Sequence, residues 1–352
     1  MNGVRGGGVG WSSMIEDDDR GWAGTRRWVQ GVLAPGERIV GVRELKGGWT
    51  SRMRRLDVAP ADNGGSVGRG GGGDGDGVGV GVGGQGYPLV LRSFVKPFYR
   101  RHAPGLLARE ADVLRLLETR SIPAARLRAV DATGEHCEDP SLVMTHLPGS
   151  VRVHEDGDVA RRTVLLAGQL AAVHAVAVPE QERPRAWQAW TSPERVQIPA
   201  ATARPRLWER AVEAIDREAP AHRGCFLHRD FHPGNVLFTG SGEQLAVSGV
   251  VDWVETSWGP ADLDVAHCST ALALLHGVPA GMAFADAYER AGGVLTTGGD
   301  HLYWRLLDAL AFAPDAQKVA VPWRELGRTD LSAPVLAGRL EDYLQAVFER
   351  YA

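Results

Sequence analysis

The chain has 352 residues, a formal net charge of −4 and three cysteines, a length that suffices for two lobes with substantial cores. The slight acidity gives no global basic field for nucleic acid, no apolar run reaches membrane-spanning length, and the N-terminus lacks the apolar core of a secretion signal. Cys137, Cys225 and Cys268 are odd in number and scattered, so the expectation is a reducing cytoplasm and no disulfide framework.

Residues 1–24 are Gly-rich and carry the acidic run Glu16-Asp17-Asp18-Asp19, which reads as a disordered tail. Thr25 is placed to cap a short helix through Leu33, with Trp28, Val29, Val32 and Leu33 as its apolar side, and Pro35-Gly36 ends it. Two strands follow, Arg38 to Lys46 and Arg52 to Ala59, around the turn Gly47-Gly48-Trp49-Thr50-Ser51. Residues 61–86 are mostly glycine with alternating valine, so a flexible insertion is expected. A calcium-binding repeat would need several stacked copies, and Asp74 and Asp76 supply one poor copy.

Tyr87 to Val95 reads as a strand. Leu106, Glu110, Val113 and Leu117 then fall at i, i+4, i+7 and i+11 of a helix, and Leu107 and Leu114 widen the stripe. Glu110 sits either inside this stripe, where a buried carboxylate needs a cation, or at its edge in water. Arg126 to Val130 and Leu142 to Met144 read as further strands, and Thr145-His146-Leu147-Pro148-Gly149 as the connection out of this half. Beyond Gly149 the pattern is mainly helical. One helix is expected from about 160 to 177, another from Leu207 to Glu218, and others near 264–276, 281–291, 300–313 and 334–350, with Asp300 and Ser332 as caps. The organisation predicted is a tail at 1–24, a strand-rich domain at 25–147 and a helix-rich domain at 148–352.

The most informative stretch is His228-Arg229-Asp230-Phe231-His232-Pro233-Gly234-Asn235, followed by Val250-Val251-Asp252-Trp253. Between them, Val236-Leu237-Phe238 and Leu245-Ala246-Val247 flank Thr239-Gly240-Ser241-Gly242, the pattern of a hairpin that brings Asn235 beside Asp252. A carboxylate, an amide five residues on and a second carboxylate are the groups that phosphoryl transfer from ATP requires. One Asp aligns the attacking hydroxyl, and the Asn and second Asp bind magnesium. Taken singly, such residues are usually turn or cap residues. A zinc set of His222, Cys225, His228 and His232 is the rival reading, but it leaves Asp230, Asn235 and Asp252 unexplained. His228 reads as a structural brace for the loop.

These motifs, with Gly259 through Asp264-Val265-Ala266, resemble those of the aminoglycoside phosphotransferase or choline-kinase-like family, from about residue 38 to the C-terminus. The resemblance implies an α+β, bilobal, protein-kinase-like fold, with an antiparallel sheet in a small N-terminal lobe and a mainly helical C-terminal lobe. It implies an ATP- and Mg2+-dependent enzyme acting on a small-molecule hydroxyl acceptor, with no nucleic-acid or membrane partner. Asp230 would be the general base, and Asn235 and Asp252 the metal ligands. Gly47, Gly48, Thr50 and Ser51 would cover the phosphates, although the GxGxxG spacing of protein kinases is absent. Arg92 stands where many members have Lys, with Lys96 on the same strand face as a rival and Glu110 as the expected ion-pair partner. Thr145 and Leu147 lie in the hinge that would hold adenine. Asp264 would brace the catalytic loop, His174 would be structural and Asp262 would face solvent.

A protein kinase fits HRDxxxxN equally well, but Trp253-Val254 replaces Phe-Gly and no Ala-Pro-Glu segment follows. A catalytically silent nucleotide-binding protein need not keep the full Asp230, Asn235, Asp252 set. From Trp253 to Ala352 thirteen Asp/Glu face seven Lys/Arg, an excess that suits either a cationic acceptor or a plain solvated surface.

Overall fold

The computed structural model describes residues 21–45, 50–61 and 86–352. Gly47 and Gly48, most of the expected tail and the core of the Gly-rich insertion lie outside them. The chain divides into two compact units: Met1–Ala108 with Leu127–Thr145, and Arg109–Arg126 with His146–Ala352.

The first unit is built on a five-stranded antiparallel sheet. Its strands are β1 (Arg38–Leu45), β2 (Arg52–Ala59), β3 (Tyr87–Ser93), β4 (Leu127–Asp131) and β5 (Ser141–Thr145), in the order β1-β2-β3-β5-β4. In β2 the buried positions alternate through Arg54, Leu56 and Val58, the period expected of a strand with one covered face. β3, central in the order, is buried without a break from Leu89 to Ser93. Trp22, Val29, Ile39, Leu56, Leu89, Leu91 and Val143 form one core cluster with helix α1 (Ala23–Val32).

Thr25 does not cap that helix; it lies within the first turn. The cap comes from far along the chain, where the Glu138 carboxylate accepts from the backbone N–H groups of Gly24 (2.5 Å) and Thr25 (2.8 Å). An acceptor with negative charge satisfies the orphan donors and suits the helix N-terminus. The next helix, α2 (Pro97–Leu117), carries Glu110 buried on its apolar stripe, together with Leu107, Val113, Leu114 and Leu117. Lys96 is exposed and lies beyond the end of β3, not on its face.

The second unit holds α3 (Val159–His174), α4 (Pro205–Ile215), α5 (Ala261–His276), α6 (Val278–Arg290), α7 (Gly298–Leu310), α8 (Gln317–Glu325) and α9 (Ala333–Tyr351). Two small antiparallel pairs accompany them, β6 (Gly224–Leu227) with β9 (Ser257–Pro260) and β7 (Val236–Thr239) with β8 (Ala246–Val250). Helix α5 is buried on all sides from Asp262 to Leu275, as a core helix must be. Its neighbours contribute Trp208, Trp304, Leu306, Leu340 and Leu344 to a common core. No described helix is long and apolar enough to cross a membrane.

Four further expectations change. β6, β9 and α8 had no predicted counterpart, because strands of four residues and a helix containing Pro322 leave little periodicity. Asp262 is buried, and accepts from the Thr296 hydroxyl (2.7 Å) and from His301 Nδ1 (2.7 Å). Thr297, not Asp300, is the N-cap residue of α7. Ser332 does stand at the N-cap of α9, but its side chain makes no capping hydrogen bond.

Candidate active site

The loop from His228 to Asn235 leaves the end of β6 and enters β7. Its first two peptides are gripped from below by Asp264 on α5, whose oxygens accept from the N–H groups of His228 and Arg229, both at 2.8 Å. His174 Nε2 lies 3.1 Å from the same carboxylate, and its other nitrogen contacts the Tyr288 hydroxyl at 2.7 Å. Burial alone would raise the Asp264 carboxyl, but these partners hold it below the usual range. Arg229 has a left-handed backbone (φ 70°), costly for a residue with a Cβ. Its guanidinium stacks on Trp190 at 4.3 Å and donates to the Gln188 carbonyl. His228 is fully buried: Nδ1 accepts from the Asp230 N–H (3.2 Å) while Nε2 reaches the Val251 carbonyl (3.0 Å). It ties the Asp230 turn to the chain just before Asp252, the bracing role expected of it.

Asp230 is about a third exposed, its side chain at 34%. Asn235 Nδ2 donates to its Oδ2 and to its backbone carbonyl, both at 2.9 Å. His267 Nε2 lies 3.2 Å from Oδ1, and His232 Nε2 is 3.7 Å away. Burial opposes the Asp230 charge, but His232 and the His267 hydrogen bond hold its carboxyl far below the carboxylate range. Burial pushes the His232 imidazole down to about 4, despite Asp230. Asp252 follows β8 with a left-handed backbone (φ 65°), a strained conformation typical of functional turns. The β7–β8 register pairs Val236 with Val250, and the Val251 N–H donates to the Asn235 carbonyl (3.0 Å). Asn235 and Asp252 therefore flank one end of this hairpin.

The donor set on this hairpin suits a hard cation, which takes oxygen ligands. Because the Asn235 NH2 group is spent on Asp230, its amide oxygen is left as an acceptor. The zinc set does not assemble. His222 contacts the Pro220 carbonyl (3.0 Å) and His228 is spent on the loop backbone. Among the described residues, the side chains near enough to share an ion are instead Asp230, His232 and His267, with ligand atoms within 4.8 Å of one another.

The remaining candidates are distributed over both units. In the first, Arg92 is buried on β3 and donates to the Ser51 hydroxyl (3.1 Å) and the Thr50 hydroxyl (3.2 Å). Thr145 is the last residue of β5 and of the first unit. In the second unit Glu110 is 1% exposed. Leu147 packs so closely on Gly249 that a Cβ there would meet Leu147 Cδ1 at 2.9 Å. Gly149, at φ +95°, lets Ser150 exchange backbone hydrogen bonds with Phe238 of β7 (3.1 and 2.9 Å). Sequence reasoning missed His267 and Asp308. The signal for His267 was present, since it follows Asp264 by one helical turn.

A five-stranded antiparallel sheet joined to a helical unit that carries this Asp–Asn–Asp loop defines an α+β, protein-kinase-like phosphotransferase. Residues 68–307 match the model of the Phosphotransferase enzyme family (APH), and the chain belongs to that family. No curated protein matches the chain by sequence. Among solved structures, a candidate aminoglycoside phosphotransferase from Ralstonia eutropha is 16% identical, with TM-score 0.55, over 93% of this chain and 98% of that one. The aminoglycoside phosphotransferase APH(4)-Ia is 14% identical, with TM-score 0.54, over 94% and 99%. A thermostable mutant of that enzyme, 15% identical with TM-score 0.52 over 88% of this chain and 94% of that one, was solved with AMP-PNP and hygromycin B.

Proposed function

We propose that this enzyme transfers the γ-phosphoryl group of ATP to a hydroxyl of a small molecule. Asp230 orients the acceptor hydroxyl. As the new O–P bond forms and the bond to the ADP oxygen breaks, the hydroxyl proton passes to Asp230 and then to solvent. The depressed basicity of Asp230 fits a loose transition state in which proton transfer is late and alignment matters most. The Asn235 amide oxygen and the Asp252 carboxylate are the ligands for Mg2+, which when bound neutralises charge on the phosphates. Arg92 with Glu110, and Gly47, Gly48, Thr50 and Ser51, steady the nucleotide phosphates, and the backbone of Thr145 and Leu147 holds the adenine. The domains carrying these groups are 25–147 and 148–352.

The observation that supports this reading most is the Asn235 side chain. Its amide hydrogens are committed to Asp230, so one residue couples the acceptor-side carboxylate to the metal-side oxygens. The acidic excess after Trp253 gives no support to a polycation pocket. Asp264 holds the loop, Asp262 holds His301, Glu255 pairs with Arg185 and Asp286 with Arg350. The test is a panel of hydroxyl compounds, cationic and neutral, incubated with the protein and MgATP and read by mass spectrometry. One phosphate gained by an acceptor, and lost in Asp230→Asn, supports the reading. Full turnover in Asp230→Asn removes that residue from its role.

A further inference from the structure

The reading of Asp230 rests on one of its oxygens being held by Asn235. The other is held by a residue from the core, and that residue is itself held from behind. We propose that His267, anchored by Asp308, is a positioning residue for Asp230 and works with hydrogen on both ring nitrogens. The inference builds on the proposed role of Asp230.

Three observations carry it. His267 Nε2 is 3.2 Å from Asp230 Oδ1, and Nδ1 is 3.0 Å from Asp308 Oδ1. Ionised carboxylates only accept, and a neutral imidazole has a single N–H, so a ring bonded to both is the imidazolium. The ring is also shut away from water: its side chain is 6% exposed, with Trp190 edge-on at 4.9 Å and Phe312 stacked at 5.7 Å. Finally, the second oxygen of Asp308 is buried with no hydrogen-bond partner among the described residues. A half-satisfied buried carboxylate is unfavourable by itself, and the contact with His267 is what it supplies in return.

The titratable groups facing His267 come from three elements. The catalytic loop presents Asp230 and His232, α7 presents Asp308, and α8 presents Lys318, which lies 4.3 Å over the Phe312 ring. The field of Lys318 reaches both Asp230 and Asp308. Burial opposes a charge on His267, but Asp308 and the hydrogen bond to Asp230 outweigh it and lift the ring to about 9.

The same three residues, Asp230, His232 and His267, are spaced like metal ligands, but the tautomers speak against an ion. The Gly234 N–H donates to His232 Nδ1 (3.0 Å), so the hydrogen of that ring is on Nε2, the atom an ion would need. His267 spends both of its nitrogens on carboxylates. What surrounds Asp230 is a set of N–H donors. One donor on each oxygen fixes the carboxylate plane and leaves its remaining lone pairs for the acceptor hydroxyl.

The experiment uses the full chain with MgATP alone, water serving as acceptor, so that no unidentified substrate enters. Two readouts are taken from about pH 6 to about pH 10, a range spanning free and lifted histidine. One is the nitrogen and proton NMR signal of the His267 ring. The other is ADP release. In the wild type the ring should stay doubly protonated to about pH 8 and turnover should fall near its titration. Asp308→Asn should move both the titration and the alkaline limb down by about one pH unit or more, so that its loss is larger at pH 8 than at pH 6. His267→Gln should lower kcat roughly tenfold or more, leave KM for ATP within a factor of about two and abolish the limb. A wild-type ring that is singly protonated at neutral pH overturns the proposal with no variant needed. So does a limb that stays in place in Asp308→Asn while the ring titration moves. Loss of the parent reading looks different: ADP release would survive Asp230→Asn.

Discussion

Helices α5 and α7 are joined by two buried histidine–aspartate contacts, and the two behave in opposite ways. At one, α5 gives the acid and α7 the base: Asp262 Oδ1 meets His301 Nδ1 at 2.7 Å. At the other the roles are exchanged, and His267 Nδ1 of α5 meets Asp308 Oδ1 of α7 at 3.0 Å. Burial lowers His301 and, despite Asp262, Arg305 beside its other nitrogen (3.4 Å) keeps it low. The other nitrogen of His267 faces the Asp230 carboxylate, and the ring rises to about 9. A histidine–aspartate pair is therefore no fixed unit. The second neighbour decides whether it is a neutral strut or a stored positive charge, and only the pair that touches the catalytic loop stores one.

The largest expected effect lies at the loop itself. Asp230→Asn should lower phosphoryl transfer by about 10²- to 10⁴-fold while ATP binding, read by calorimetry, stays near wild type. Next comes the brace. Asp264→Ala removes the acceptor for two buried N–H groups and the partner of His174, and should destabilise the fold by about 3–5 kcal/mol in urea unfolding. If Asp264→Ala keeps wild-type stability, the loop is held by something else.

The two pairs can then be set against each other by pH. A folded pKa of about 9 for His267, against about 6.5 in the unfolded chain, gives a contribution that is complete below pH 6.5 and lost as pH rises toward 9. His301, lowered on folding, has the opposite sign: its contribution is present above its unfolded pKa and declines as pH falls. Melting temperatures should show the alkaline loss shrink, and end at lower pH, in Asp308→Asn but keep its full size in Asp262→Asn. The same alkaline slope in both variants would mean that the pairs do not differ in charge. The smallest effect is expected in the other unit. Glu138→Ala removes the cap of α1 and should cost about 1 kcal/mol with no change in turnover.

The candidate loop carrying Asp230 and Asn235, and the hairpin that leads to Asp252, were legible because five- and seventeen-residue separations survive any folding detail and the hairpin is a local pattern. The stripe that buries Glu110 was legible for the same reason: i, i+4, i+7 needs nothing beyond the helix itself. Thr25 was misread because its helix is capped by Glu138, more than a hundred residues away. Asp262 was misread because a first-turn acid usually faces water, and nothing local announces that His301 and Thr296 will close over it.

By itself the sequence determined the class of chemistry and the order of the longer elements, β6, β9 and α8 apart, since both are written in local spacing and periodicity. Tertiary structure alone decided which charges exist. Whether His267 is a cation, whether Asp262 is wet and what the acidic surplus of the C-terminal part is used for depend on neighbours from other helices. Electrostatic energy in a buried site is set by those few ångströms and by the exclusion of water, and distance along the chain encodes neither.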